Sequence, residues 1–183
     1  FAATVESSAD GERVYGLGSN DAKASVAVPE LAALLTQKEW RLSASKVGGK
    51  PVTGEIVATA TERASLAKAL ELLSVDELIA SYKAKATGRD RYALQGRLTA
   101  NVTQACVVSG RPVEATIDED FAVDLWPAED IAAVGGEAET LDPFSADPPE
   151  PLDGDNIDIG SIVYQCFAVA LDPYPRHPDS SDA

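Results

Sequence analysis

The chain has no methionine, one histidine and two cysteines among its 183 residues. Two thiols, Cys106 and Cys166, cannot build a disulfide scaffold and are read as reduced, core-filling side chains. The single histidine, His177, lies in a proline-bounded tail and makes a poor general base for a Cys106 nucleophile. No stretch approaches the ~18 apolar residues of a membrane span, so no membrane is expected as a partner. No basic stretch followed by an apolar one opens the chain, so nothing reads as a secretory signal. With Phe1 first and no Met anywhere, the natural N-terminus is read as missing. The expected compartment is the cytoplasm, or an organelle if a targeting segment has been removed.

Other signatures of chemistry are lacking too. Ser109-Gly110 has no flanking glycine pattern, so it is not a nucleophile elbow. Gly16-Leu17-Gly18 lacks the third glycine and the following helix of a phosphate loop. Asp153-Gly154-Asp155-Asn156-Ile157-Asp158 looks like a calcium loop, but Ile157 takes the fifth, ligand position and no Glu closes the loop. No Cys and His cluster fits a four-ligand zinc site. No catalytic residue, cofactor or metal ligand is assigned, and the chain is read as a non-enzyme. A hydrolase using two carboxylates that meet in a cleft stays open as an alternative.

Positive charge is missing from one part of the chain. Residues 1–111 carry 14 Lys and Arg against 12 Asp and Glu, a net of +2. Residues 112–183 carry Arg176 against 18 acids, a net of −17, and the two parts sum to −15. A charge of this sign repels nucleic acid and phospholipid. Gripping duplex phosphate needs Lys and Arg to displace counterions. Any RNA contact is therefore expected from the first part, at Arg89, Arg91, Arg97 and Arg111. Tyr82 and Tyr92 lie close enough to stack bases, but their parity points them inward.

The length fits a single domain with a real core. Residues 1–27 read as strand or irregular structure. Pro29 with Leu31, Leu34 and Leu35 predicts a short helix, since Pro suits the first helical position. Trp40, Leu42 and Ala44 alternate with polar residues, and 52–59 is β-rich beyond Gly48-Gly49-Lys50-Pro51, which predicts a hairpin. Thr59 and Glu62 have capping-box spacing, with Thr61 an equally good cap, and Leu66, Leu70 and Leu73 follow on one face. Ser74-Val75-Asp76-Glu77 repeats that spacing and predicts a second short helix.

Residues 80–87, 92–102 and 113–125 alternate apolar and polar, with turns at 88–91 and 109–112. They predict an antiparallel meander with one buried and one wet face. Gly96 interrupts the apolar face and suggests a bulge. On the wet face Lys83, Lys85 and Arg97 are set against Glu114, Asp118, Asp120 and Asp124, which predicts cross-strand charge pairs.

Residues 127–156 hold five prolines, nine acids and no basic residue, the composition of a flexible loop, with Leu141 and Phe144 as local docking points. Asp158 then caps a largely buried helix carrying Ile159, Ile162, Val163, Cys166, Phe167, Ala170 and Leu171. The fold class is α+β: a meander packed by a few helices, one of them a buried C-terminal helix.

Three pieces of the chain carry a family resemblance. They are residues 98–106 leading to Pro112-Val113 and the acidic strand 117–125, the Asp147-Pro148-Pro149-Glu150-Pro151-Leu152 stretch, and residues 155–163 with the apolar helix and Leu171-Asp172-Pro173-Tyr174-Pro175-Arg176. On these, residues 91–175 resemble the YceD family, the large ribosomal RNA subunit accumulation proteins. The helix at 62–73 also matches in place, residues 1–50 match poorly, and the Asp-Pro-Tyr-Pro-Arg ending is most similar to alphaproteobacterial members. Two departures stand out. Where many members have Cys-x-x-Cys, this chain has Cys106-Val107-Val108-Ser109, so no metal or redox role transfers. Where many have a Glu in the last helix, it has Gln165-Cys166.

The resemblance implies a role in 23S rRNA accumulation and large-subunit assembly, with no catalytic residue. Together with the charge map, it points to a basic ribosomal protein or another assembly factor as partner. The expected partner-binding acids are Glu114, Asp118, Asp120, Asp124, Asp147, Glu150, Asp153 and Asp155, with the 127–156 loop favoured over the strand face. Cys106, Pro112, Asp158, Pro173 and Pro175 are expected to be structural. Direct rRNA contact is the alternative.

Overall fold

The computed structural model describes residues 4–8, 11–15, 34–35, 37–134, 149–152 and 154–180. The Pro29–Leu31 part of the expected first helix, Gly16-Leu17-Gly18, Leu141 and Phe144 lie outside them. Strands β1 (Thr4–Ser8) and β2 (Gly11–Tyr15) form an antiparallel pair in the stretch that resists reading by eye. A 3-10 turn (Lys38–Trp40) leads into β3 (Arg41–Ser43), and β4 (Val52–Val57) and α1 (Ala60–Ala69) follow. Next come three long strands, β5 (Ser74–Gly88), β6 (Arg91–Ala105) and β7 (Pro112–Trp126). The described chain continues with α2 (Ala128–Val134), β8 (Glu150–Pro151), β9 (Asn156–Asp158) and α3 (Ile159–Ala170).

The main sheet has the order β4-β5-β6-β7-β8, antiparallel except for the β7–β8 pair. This is the expected α+β meander. Its inner face is Leu78, Ala80 and Ala84 on β5, Leu94, Leu98, Ala100 and Val102 on β6, and Ile117, Phe121 and Leu125 on β7, all buried. Leu66 of α1, Trp40, and Ile159, Val163 and Phe167 of α3 complete one core with them. Asp158 caps α3 as expected, accepting from the Ser161 N–H at 3.0 Å. Cys106 is buried and Cys166 half-buried, both as thiols.

Five expectations are corrected. The predicted 40–59 hairpin does not form. β3 pairs with β9, placing Leu42 opposite Ile157, and β4 pairs with β5. Both of those apolar side chains are buried by the long-range pairing, a gain the local alternation cannot reveal. Ser74-Val75-Asp76-Glu77 opens β5 rather than a helix. A register shift falls between Val75 and Glu77, so Val75 and Leu78 both reach the inner face, and burial overrides the weak local preference. Leu73 is 55% exposed and Leu72 is buried in its place, because the helix ends at Ala69 and Glu71 takes a positive φ of 55°. Residues 127–156 are not all loop: α2, β8 and the start of β9 occupy the described ends.

Gly96 is no bulge either. It sits in unbroken register between Tyr82 and Phe121. A Cβ there would overlap the Ser81 carbonyl oxygen and the Phe121 ring, so close approach of neighbours explains the glycine. Gly96→Ala is expected to cost about 1–3 kcal/mol in urea unfolding, whereas an alanine at Gly48, which has open space around it, leaves the midpoint nearly unchanged.

The predicted capping box of α1 is present, and its Glu62 does more than cap. Glu62 is 3% exposed. It accepts from the Thr59 N–H and hydroxyl at 2.9 Å each, the Gln37 N–H at 2.9 Å and the Trp40 indole N–H at 3.1 Å. The Gln37 side-chain amide adds a bond of 2.5 Å. Burial by itself pushes this carboxyl's pKa up. The hydrogen bonds from Thr59 and Gln37 outweigh that and hold it below the usual value. The folded state thus favours the ionised form more than the unfolded chain does. Its contribution is complete above the unfolded pKa of about 4.3 and is lost as pH falls through the lower folded value. Glu62→Gln turns acceptors toward donors and is expected to cost roughly 2–4 kcal/mol near neutral pH. The loss of stability between about pH 5 and 3 should be smaller in the variant, as chemical denaturation across pH will show.

Candidate functional site

The sheet spends one face on the core and leaves the other in water. Pleating puts Glu114, Thr116, Asp118, Asp120, Ala122 and Asp124 of β7 on this outer face, all exposed. Cross-strand register extends it over Gln95, Arg97, Thr99 and Asn101 of β6 and Ser81, Lys83 and Lys85 of β5. The face is ordered by its own polar bonds. Arg97 donates from Nε to Asp118 Oδ1 and from Nη2 to Oδ2, both at 2.6 Å, and its Nη1 lies 3.7 Å from Asp120. Asn101 donates to Glu77 at 3.1 Å and accepts from the Thr116 hydroxyl at 3.0 Å. A shallow depression of about 520 Å³ lies over the centre, lined by Ser81, Lys83, Gln95, Arg97 and Asp120 among others.

The hydrogen-bonded Arg97 guanidinium holds the Asp118 carboxyl below its usual range, and Asp118 in turn raises Arg97. The expected cross-strand pairing therefore forms at Arg97, while Lys83 and Lys85 register against Gln95 and Ala93 instead.

The other expected acids stand elsewhere. Glu150 lies on β8, paired with Leu125 rather than on the outer face. It is half-buried, and burial raises its carboxyl pKa against an opposing hydrogen bond from Gln165 of α3. Asp155 precedes β9 and lends its carbonyl to the Ala44 N–H at 2.9 Å. Asp147 and Asp153 lie outside the described residues. The expected acidic set thus divides, with Glu114, Asp118, Asp120 and Asp124 forming one row.

The candidate RNA-contacting arginines do not share a patch. Arg89, with a 98% exposed side chain, stands at the β5–β6 turn 3.9 Å from Asp90. Arg91 donates from Nε and Nη2 to Asp130 at 3.0 and 2.8 Å, and its guanidinium lies 4.0 Å from the Trp126 ring centroid. This clamp fastens α2 to the end of β7. Arg97 is held on the outer face. Arg111, at the β6–β7 turn, lies 3.4 Å from Asp179.

That turn also gathers the tail. The Val107 N–H donates to the Pro175 carbonyl at 2.9 Å, and Gln104 Nε2 to the Asp172 carbonyl at 2.9 Å. The Cys106 thiol is buried and accepts from the N–H groups of Ser109 at 3.5 Å and His177 at 3.3 Å. Cys106 and His177 thus meet through the histidine backbone, while Nδ1 accepts from the Asp179 N–H at 3.2 Å. Burial, then Glu119, raises the Cys166 thiol pKa. Pro112 opens β7, where its missing N–H costs the ladder nothing. Pro175 is buried and Pro173 exposed. Among the described residues no group of three or more His, Cys, Asp or Glu could hold a metal ion. No helix there is long and apolar enough to cross a membrane.

The Glu62 hub and the Arg91–Trp126–Asp130 clamp escaped the sequence reading. The capping-box spacing announces the first only in part, because Gln37 and Trp40 arrive from another segment. The second spans 39 residues, with no local signal.

Fold and face together define a protein that presents an ordered, charged sheet surface. The family model described as large ribosomal RNA subunit accumulation protein YceD matches residues 94–183, from β6 to the C-terminal end. Residues 94–183, just under half of the chain, are what places it with the YceD family. That description names an accumulation protein, not an enzyme. No curated protein matches the chain, and no solved structure does.

The Arg97–Asp118 bond has a direct readout. In an NMR titration the Asp118 carboxyl should ionise below the usual aspartate range, and Arg97→Gln should return it toward the ordinary value. An unchanged midpoint in the variant rules the bond out in solution.

Proposed function

We propose that the chain is a non-enzymatic factor for 23S rRNA accumulation and large ribosomal subunit assembly, acting through protein contacts on its acidic surface. The family supports the ribosomal part. The observation that carries the rest is the row of Glu114, Asp118, Asp120 and Asp124 along one exposed strand face. Among the described residues, Asp118 and Asp120 are the members of that row that share a guanidinium, Arg97. A basic ribosomal protein, or another assembly factor with a basic surface, complements such a row. Charge complementarity then chooses the partner and speeds encounter more than it sets affinity. Asp147, Glu150, Asp153 and Asp155 add to the negative charge of the chain.

The test joins a cell experiment and a pull-down. Depletion should lower 23S rRNA and large subunits, and neutralising Asp118, Asp120 and Asp124 to Asn should release basic partners while leaving unfolding unchanged. Normal 23S rRNA on depletion rejects the assembly role. Salt-dependent affinity for 23S rRNA fragments, without retention of basic proteins, replaces the reading by direct RNA contact.

A further inference from the structure

In an antiparallel ladder, alternate residues aim their N–H and C=O groups at one neighbour and the intervening residues aim theirs the other way. β6 satisfies one set along the whole of β7. On the other side β8 meets only Leu125 and Trp126. From Pro112 to Asp124, about 40 Å of strand at ~3.3 Å per residue, the outward set has no strand partner among the described residues.

Sheet edges are normally blunted by shortness, proline, bulges or charge. The opposite edge uses several of these. β4 is short, follows Pro51 and contains Gly54, and the Gln37 side chain donates to the carbonyl of its last residue, Val57, at 3.2 Å. β7 runs without a register shift against β6 and has no proline after Pro112. Its protection is charge of a single sign: Glu114, Asp118, Asp120 and Asp124 on the outer face, and Glu119, also exposed, on the other. Such protection is selective. It repels a second copy of the same strand, and it admits a strand bearing positive charge.

We infer that the edge of β7, open among the described residues, is a strand-addition site for an extended basic segment of a partner protein. The inference rests on the protein-contact role proposed above and specifies how contact is made. Backbone pairing supplies affinity, and side-chain alternation supplies selectivity. Every second side chain of the incoming strand lies beside the acidic row and is Lys or Arg. The intervening ones lie beside half-buried Val113, Ala115 and Val123 and are apolar or small.

The probe is a synthetic peptide of about ten residues alternating Lys and Val, long enough to cover most of this edge, added to the full chain. Two further versions carry N-methyl groups on alternate amides, one on each parity. The parent should bind and slow hydrogen exchange at every second amide between 113 and 123. One methylated version should bind at least about tenfold more weakly, the cost of lost ladder bonds, and the other should match the parent. Asp118→Asn with Asp120→Asn should weaken the parent and flatten its salt dependence. Equal binding of both methylated versions, protection of no β7 amide, or no binding of the parent each overturns strand addition. The cell depletion result is independent of all of these, so the edge can fail while the assembly role stands.

Discussion

A carboxylate buried at the start of α1 ties the two ends of the fold's packing together. Glu62 closes the first turn of its own helix and, with the same two oxygens, receives Gln37 and Trp40 from the preceding segment. Its burial is tolerable because each oxygen is met by several donors, the condition under which an ionised group can leave water. What it fixes is the position of Trp40, which is fully buried. Trp40 in turn abuts Gly160 in the first turn of α3. The 3-10 turn before β3, the β3–β9 pair and the start of α3 therefore rest on a polar anchor at the edge of an apolar core.

From that anchor outward, the molecule separates its functions by face. The inner side of the meander, with α1, α3 and the Trp40 segment, holds nearly all the large buried side chains. The outer side holds hydrogen-bonded polar groups whose geometry is set by strand register. Arg97 reaches Asp118 diagonally and Asp120 directly because β6 and β7 align without a break. Surface ion pairs of this kind add little stability, but they order the side chains a partner meets. The acidic charge that dominates the composition is thus distributed: part paired on the sheet, part spent in caps and clamps at Asp158, Asp130 and Asp179, and part left along the edge strand.

How legible this was depended on how far apart the partners lie. The strands at 80–87, 92–102 and 113–125 were read correctly because alternation is a local signal and each has a buried parity. The α1 cap and the Asp158 cap were read because their partners lie three residues away. The 40–59 hairpin and the helix at Ser74 were misread for one shared reason. Both had acceptable local patterns, and in both the chain found greater burial with a distant segment, Ile157 for Leu42 and Ala100 with Val102 for Leu78 and Val75. The glycine at 96 was noticed, but its cause, an aromatic ring and a carbonyl on neighbouring strands, is tertiary.

By itself the sequence determined the alternation that makes a two-faced sheet, the sign of the charge on β7, the buried character of α3 and the family to which residues 94–183 belong, since each is written in contiguous residues. The tertiary structure decided which of the acids share a surface, that every candidate arginine has an acidic neighbour in place, and that among the described residues β7 meets a strand partner along its whole length on one side and at two residues on the other. Those outcomes follow from strand order and register, which are chosen by the burial summed over the whole chain and leave no trace in any one segment of it.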